Sequence, residues 1–239
     1  MQQLEFRTGV IKPIEVYKEA WEIMKDQFWL IFGITVIGIF VGGVIPVVIM
    51  GPMMCGVYMC LLDKVDGKPA SFDKLFKGFD FFLPSFIVSV IVMIPVFVFI
   101  FAVYIPMIAI SIAGPRMSPE EVWPLIIGML LAELLIGIFM VLLHSFLIFA
   151  FPLIVDRKLS GIQAAKLSAR SVWANKGGVG GLFGVGILVA IVGYMLLCVG
   201  IYLALPVIIM ATTVAYRKVF PRMEPMNFEP PPPNAYQGL

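Results

Sequence analysis

Four long apolar runs alternate with short polar segments along the chain: Phe28–Leu62, Phe81–Ala113, Val122–Val155 and Val179–Tyr216. A helix crosses a hydrocarbon core of about 30 Å in roughly 20 residues, so the first and last runs are long enough to cross twice. Basic residues decide the matter. Arg7, Lys12, Lys18 and Lys25 precede the first run, and Lys64, Lys68, Lys74 and Lys77 follow it. Arg157, Lys158, Lys166, Arg170 and Lys176 lie between the third and fourth runs, and Arg217, Lys218 and Arg222 close the chain. Of the 17 Lys and Arg, only Arg116 falls elsewhere. Basic loops stay cytoplasmic. One side for all four segments requires the outer runs to turn, near Gly42-Gly43-Val44-Ile45-Pro46 and near Gly200. The two middle runs then cross once each, joined outside by residues 114–119.

The pattern therefore predicts an all-α polytopic membrane protein with six transmembrane helices arranged as three hairpins. The spans are about 28–44, 46–62, 82–112, 122–154, 179–198 and 201–216, within a membrane domain of 28–218. Both termini are expected in the cytoplasm, at the cell membrane. The first hairpin allows about 17 residues per arm, roughly 26 Å, so a re-entrant loop is the alternative there. The middle helices are too long and must tilt, bend or emerge, with Pro95, Pro106 and Pro152 as kink points.

Each hairpin is preceded by a segment that forms an interfacial amphipathic helix. In the N-terminal segment 1–27, Ile14, Tyr17, Trp21, Met24 and Phe28 recur at helical spacing, with Pro13 at the start. Residues 71–80 align Phe72, Leu75, Phe76 and Phe79 behind Ser71 as N-cap. Residues 160–175 open on Ser160-Gly161-Ile162-Gln163, a capping-box pattern, and place Ile162, Ala165, Ala169, Val172 and Trp173 at helical spacing. The second helix of each pair also shares a pattern: Pro52 before Asp63-Lys64, Pro152 before Asp156-Arg157-Lys158, and Pro206 before Arg217-Lys218. The chain reads as three parallel units. The alternative is that any membrane protein built from hairpins carries basic amphipathic connectors.

Several stretches carry a resemblance. They are Gly51-Pro52-Met53-Met54-Cys55-Gly56-Val57-Tyr58, Ser71–Phe79, Pro152–Lys158 and Ala164–Ser168. Across about residues 12–220 the chain resembles a broad group of uncharacterised prokaryotic membrane proteins. That group is similar to the membrane domain fused to some glycerophosphodiester phosphodiesterases. The resemblance implies a six-helix bundle and carries no activity with it, since no soluble phosphodiesterase domain is present.

Composition narrows the class further: 61% of residues are hydrophobic and 13% charged, against about half and a quarter in soluble domains. The first apolar run starts behind a charged segment with no cleavage pattern, so the first helix is expected to act as its own insertion signal. Cys55, Cys60 and Cys198 lie in apolar runs without metal-ligand spacing and read as small hydrophobes in helix packing.

Ionisable groups inside a bilayer are costly and become functional candidates. Glu133 and His144 are the two within a predicted span. Eleven residues apart, they lie about 16 Å along and 20° around one helix, a face open to a proton or cation path. The alternative is a neutral Glu133 bonded to Tyr104, to Ser111 or to a carbonyl freed by Pro106, with His144 bonded to a serine. One histidine excludes a two-histidine haem within the chain. No catalytic group, metal or cofactor is expected.

The glycine cluster from Gly177 lacks a phosphate-loop ending. Gly177/Gly181 and Gly180/Gly184, like Gly38/Gly42, instead read as small residues that let helices approach closely. Trp21, Trp29, Phe76 and Trp173 stand beside Lys and Arg as interfacial anchors, on faces that favour anionic lipid and that ordinary anchoring explains. The proline-rich tail 219–239 is expected to be disordered, with a cytoplasmic partner as the alternative.

Two functional classes remain. One is a non-catalytic scaffold or accessory subunit, partnered by lipids and other membrane subunits and not by nucleic acid. The other is a transporter or lipid-handling protein using the Glu133/His144 face.

Overall fold

A computed structural model describes residues 6–113, 117–195 and 199–222, and their regular structure is entirely helical. Cys198, the Gly114-Pro115-Arg116 part of the loop expected on the outer side and the tail from residue 223 onward lie outside the described residues. The helices are α1 (Pro13–Met24), α2 (Phe28–Val44), α3 (Met50–Val65), α4 (Phe82–Ala113) and α5 (Pro119–Phe146). They continue with α6 (Ala150–Arg157), α7 (Gly161–Ala174), α8 (Lys176–Met195) and α9 (Val199–Val219). Five stretches are long and apolar enough to cross a membrane: Pro13–Val44, Phe72–Ile112, Glu120–Arg157, Lys176–Met195 and Gly200–Val219. The chain is a helical membrane protein. At 16 residues, α3 falls short of that length.

Local chemistry sets the helix boundaries. Pro46 follows the end of α2, and a turn through Ile45–Ile49 delays α3 to Met50, which puts Pro52 in its first turn, where a missing N–H does no harm. Ser118 and Glu121 form a capping box ahead of α5, with Pro119 at its first position. Ser160 and Gln163 do the same for α7. Pro95 and Pro106 are absorbed inside a continuous α4.

Two segments depart from the sequence expectation. Residues 71–80 wind into two short 3-10 turns, Phe72–Lys74 and Phe76–Phe81, because this backbone lies directly on α3. A Cβ on Gly56 would sit 1.7 Å from the Leu75 carbonyl oxygen, and one on Gly78 would sit 2.0 Å from that of Pro52. The span expected over 122–154 breaks at residues 147–149 into α5 and α6. Pro152 has no N–H to give the Ile148 carbonyl and its ring crowds that turn, so the helix opens one turn before the proline.

Consecutive helices pack in pairs, α2 with α3, α4 with α5 and α8 with α9, and α1 lies against α9. The core sits at the end where α3, α6 and α9 finish. Tyr216 stacks on Phe220 there, Phe149 meets both rings at an angle, and Phe6 from the N-terminal segment joins them. Each amphipathic helix buries only part of its bulky stripe, Tyr17 and Met24 on α1 and Val172 on α7, and turns small residues inward beside it. On α1, Val16, Tyr17, Ala20 and Met24 are buried, while Ile14 and Trp21 are exposed. On α7, Ala164, Leu167, Ser168 and Ser171 are buried, while Ile162 and Trp173 face out. Lipid is as apolar as leucine, so hydropathy does not draw every large side chain inward, and small ones permit close helix contact.

Candidate functional site

Two polar groupings stand out against the apolar bundle. The first is an ion network where α3, α6 and α9 end. Arg217 donates from Nη2 to Asp66 Oδ2 at 2.9 Å and from Nη1 to Asp156 Oδ1 at 3.0 Å. The Tyr216 hydroxyl donates to Asp156 Oδ2 at 2.7 Å, and Arg157 donates to the carbonyl of Pro221. All four charged side chains are largely covered. One guanidinium from α9 is thus shared between a carboxylate at the end of α3 and one at the end of α6. Ion pairs tie down the rest of this end: Lys64 to Asp26, Lys74 to Asp63 and Lys218 to Glu19. The hydrogen bond from Lys64 holds the Asp26 carboxyl below the usual carboxylate range.

Beside the network, two buried side chains close corners of the backbone. Ser168 of α7 reaches the break between α5 and α6. Its hydroxyl donates to the Phe146 carbonyl at 2.6 Å and accepts the Phe149 N–H at 3.1 Å, taking up two groups that the broken helix leaves free. Asn175, between α7 and α8, accepts the Gly9 N–H at 2.8 Å and donates to the Arg7 carbonyl at 3.1 Å. Together with the Arg7 N–H bond to the Val219 carbonyl at 2.8 Å, it straps the N-terminal segment across the bundle. Sequence reasoning missed both residues. The only signal was a serine and an asparagine at otherwise apolar helix positions.

The second grouping is the Glu133 face. Glu133 lies midway along α5 in an open surface groove lined also by Phe99, Leu130, Leu134, Gly137 and Leu142. Its Oε1 atom is covered and has no hydrogen-bond partner among the described residues. His144 Nδ1 pairs with the Met140 carbonyl oxygen at 2.8 Å, and Ser111 donates to the Met107 carbonyl at 2.8 Å, each within its own helix. Tyr104 is exposed. No hydrogen bond joins these four residues among those described, and His144 does not line the Glu133 groove. Around them the α4/α5 surface is almost wholly open, with no buried residue in the most apolar stretch of α5.

The predicted packing glycines divide. A Cβ on Gly38 would meet Val57 at 2.4 Å, on Gly42 Met50 at 3.0 Å, and on Gly181 Pro13 at 2.5 Å. Gly177, Gly180 and Gly184 have nothing within 4 Å among the described residues. Closer approaches than any of these occur at Gly56, Gly78 and Gly161. The four aromatic anchors Trp21, Trp29, Phe76 and Trp173 are all exposed. Among the described residues, no three His, Cys, Asp or Glu side chains are placed to hold a metal ion.

Compared with protein-family models, with characterised proteins and with solved structures, the chain matches none.

Proposed function

We propose that the chain is a non-catalytic membrane subunit, a scaffold or accessory component, whose α4/α5 hairpin docks against a neighbouring membrane protein. Glu133 carries this reading: a covered carboxyl oxygen without a partner, midway along a helix that is open on nearly every side. Lipid tails offer no hydrogen bond, and an unsatisfied polar group in hydrocarbon costs several kcal/mol. A donor from another helix relieves that cost at the carboxyl group's other oxygen, Oε2, which is not among the covered atoms, while none within this chain reaches Oε1 among the described residues. The neighbour accordingly presents an apolar helix face with a hydrogen-bond donor at mid-membrane depth.

Six crossings with both ends in the cytoplasm belong to the same proposal, as does the likeness to the prokaryotic group. Its support is that α3, α6 and α9 all end in one ion network, so the three finish on one side together with the basic segments. On this reading α3 is a short crossing of about 24 Å.

The test is native mass spectrometry of the chain extracted gently from its own membrane, as wild type, Glu133→Gln and Glu133→Leu. A stoichiometric partner should stay with the wild type and the Gln variant, which keeps a hydrogen-bonding group, and be lost with Leu. A chain that purifies alone, or a partner indifferent to Leu, ends the docking reading. The groove at Glu133 favours a second reading, transport or lipid handling through the Glu133/His144 face. There Glu133→Gln should abolish flux in reconstituted liposomes while folding is intact, and unchanged flux counts against it.

A further inference from the structure

A different corner of the molecule combines an apolar groove with uncompensated positive charge. Phe146 at the end of α5, Ala169, Arg170 and Trp173 on α7, and Phe6 from the N-terminal segment line an open surface groove. The wall is aromatic: Phe146 and Trp173 stack with ring centroids 6.1 Å apart, and Lys176 Nζ stands 5.4 Å above the Trp173 ring. Arg170 forms the polar rim, and Lys166 lies one turn before it on the same exposed face of α7.

The charge at this corner has no internal counterpart. Residues 158–176 contain Lys158, Lys166, Arg170 and Lys176 and no Asp or Glu. Among the described residues Lys12, Lys25, Lys64, Lys74 and Lys218 each have a carboxylate within 4 Å, whereas Lys166, Arg170 and Lys176 have none. A guanidinium at the mouth of an apolar groove, beside an exposed tryptophan at the foot of a long apolar helix, matches the two halves of a phospholipid. The fork binds phosphate oxygens in pairs, and the groove takes acyl methylenes.

We propose that this groove holds one anionic phospholipid, its phosphate on Arg170 with Lys166 and Lys176 nearby, and its upper acyl chain along Phe146 and Trp173. The site is independent of Glu133, which lies 13 residues before Phe146 on α5, about 20 Å away along the axis.

The experiment uses the full chain, delipidated in a neutral detergent. It is mixed in turn with phosphatidylglycerol, with phosphatidylcholine of the same acyl chains, and with inorganic phosphate, and read by native mass spectrometry. One phosphatidylglycerol per chain should be retained, at least tenfold in preference to phosphatidylcholine. Arg170→Gln, a change at an exposed position, should remove that preference, and Ala169→Trp should fill the groove and lower retention of both lipids. Lys68→Gln, away from the groove, should change nothing. Quenching of Trp173 by brominated phosphatidylglycerol, compared with Trp173→Phe, locates the lipid should Ala169→Trp fail to fold. Equal retention of the two lipids, or phosphatidylglycerol retention untouched by Arg170→Gln, overturns the proposal. Binding of inorganic phosphate without any lipid preference also overturns it, by making the site one for a soluble anion.

Discussion

Replacing Ser168 by alanine tests whether a single hydroxyl holds the break between α5 and α6. The change removes one oxygen from a fully buried side chain and opens little space. It deletes two hydrogen bonds, to the Phe146 carbonyl at 2.6 Å and from the Phe149 N–H at 3.1 Å. Each is worth about 1 kcal/mol net, and a buried N–H left unpaired adds about 1–3 kcal/mol. Pro152 leaves the Ile148 carbonyl without its ladder partner and crowds this turn, which keeps the helix broken here when the hydroxyl is gone. The expected loss is about 3 kcal/mol, or roughly 6–12 °C in Tm by the scaling for chains of this size. Ser171→Ala is the matched control. It is equally buried on the same helix, and its hydroxyl only donates to the Ser168 carbonyl three residues back, at 2.9 Å. Both variants gain the same alanine helix propensity, about 0.5 kcal/mol, so that term cancels in the difference. Thermal unfolding of the two proteins in one detergent, followed by far-ultraviolet circular dichroism, reads that difference directly. Midpoints within about 1 °C of each other refute the bridging role.

Two further outcomes follow from the packing. Arg217→Gln leaves Asp66 and Asp156 facing each other without their shared cation and should cost about 3 kcal/mol; Lys218→Gln, whose partner is the more exposed Glu19, should cost under about 1 kcal/mol. Equal unfolding midpoints for these two would discount the network. Gly56→Ala drives a methyl into the Leu75 carbonyl and should yield aggregated protein on size-exclusion chromatography. Gly184→Ala meets nothing and should leave the unfolding midpoint unchanged or raise it by about 1 kcal/mol of helix propensity; a well-folded Gly56→Ala would contradict the backbone contact described.

The membrane class, the helical content and the near-complete confinement of Lys and Arg to four short segments follow from the sequence alone, because burial in hydrocarbon imposes a length and a polarity that single residues report. The recurring polar ends at Asp63-Lys64, Asp156-Arg157 and Arg217-Lys218 were also legible as a pattern. What lay beyond reading was their meeting. Asp66 and Arg217 are 151 residues apart, and nothing local to either announces the other. The same holds for Ser168, whose partners are backbone groups freed by a break in another helix. Which face of α1 or α7 turns inward was likewise a tertiary decision. Hydropathy separates water from oil, but protein interior and lipid are alike to it, and only close fit tells them apart. Glu133 marks the limit from the other side: its place in an apolar span was plain in the sequence, and only the packing left its Oε1 oxygen without a partner.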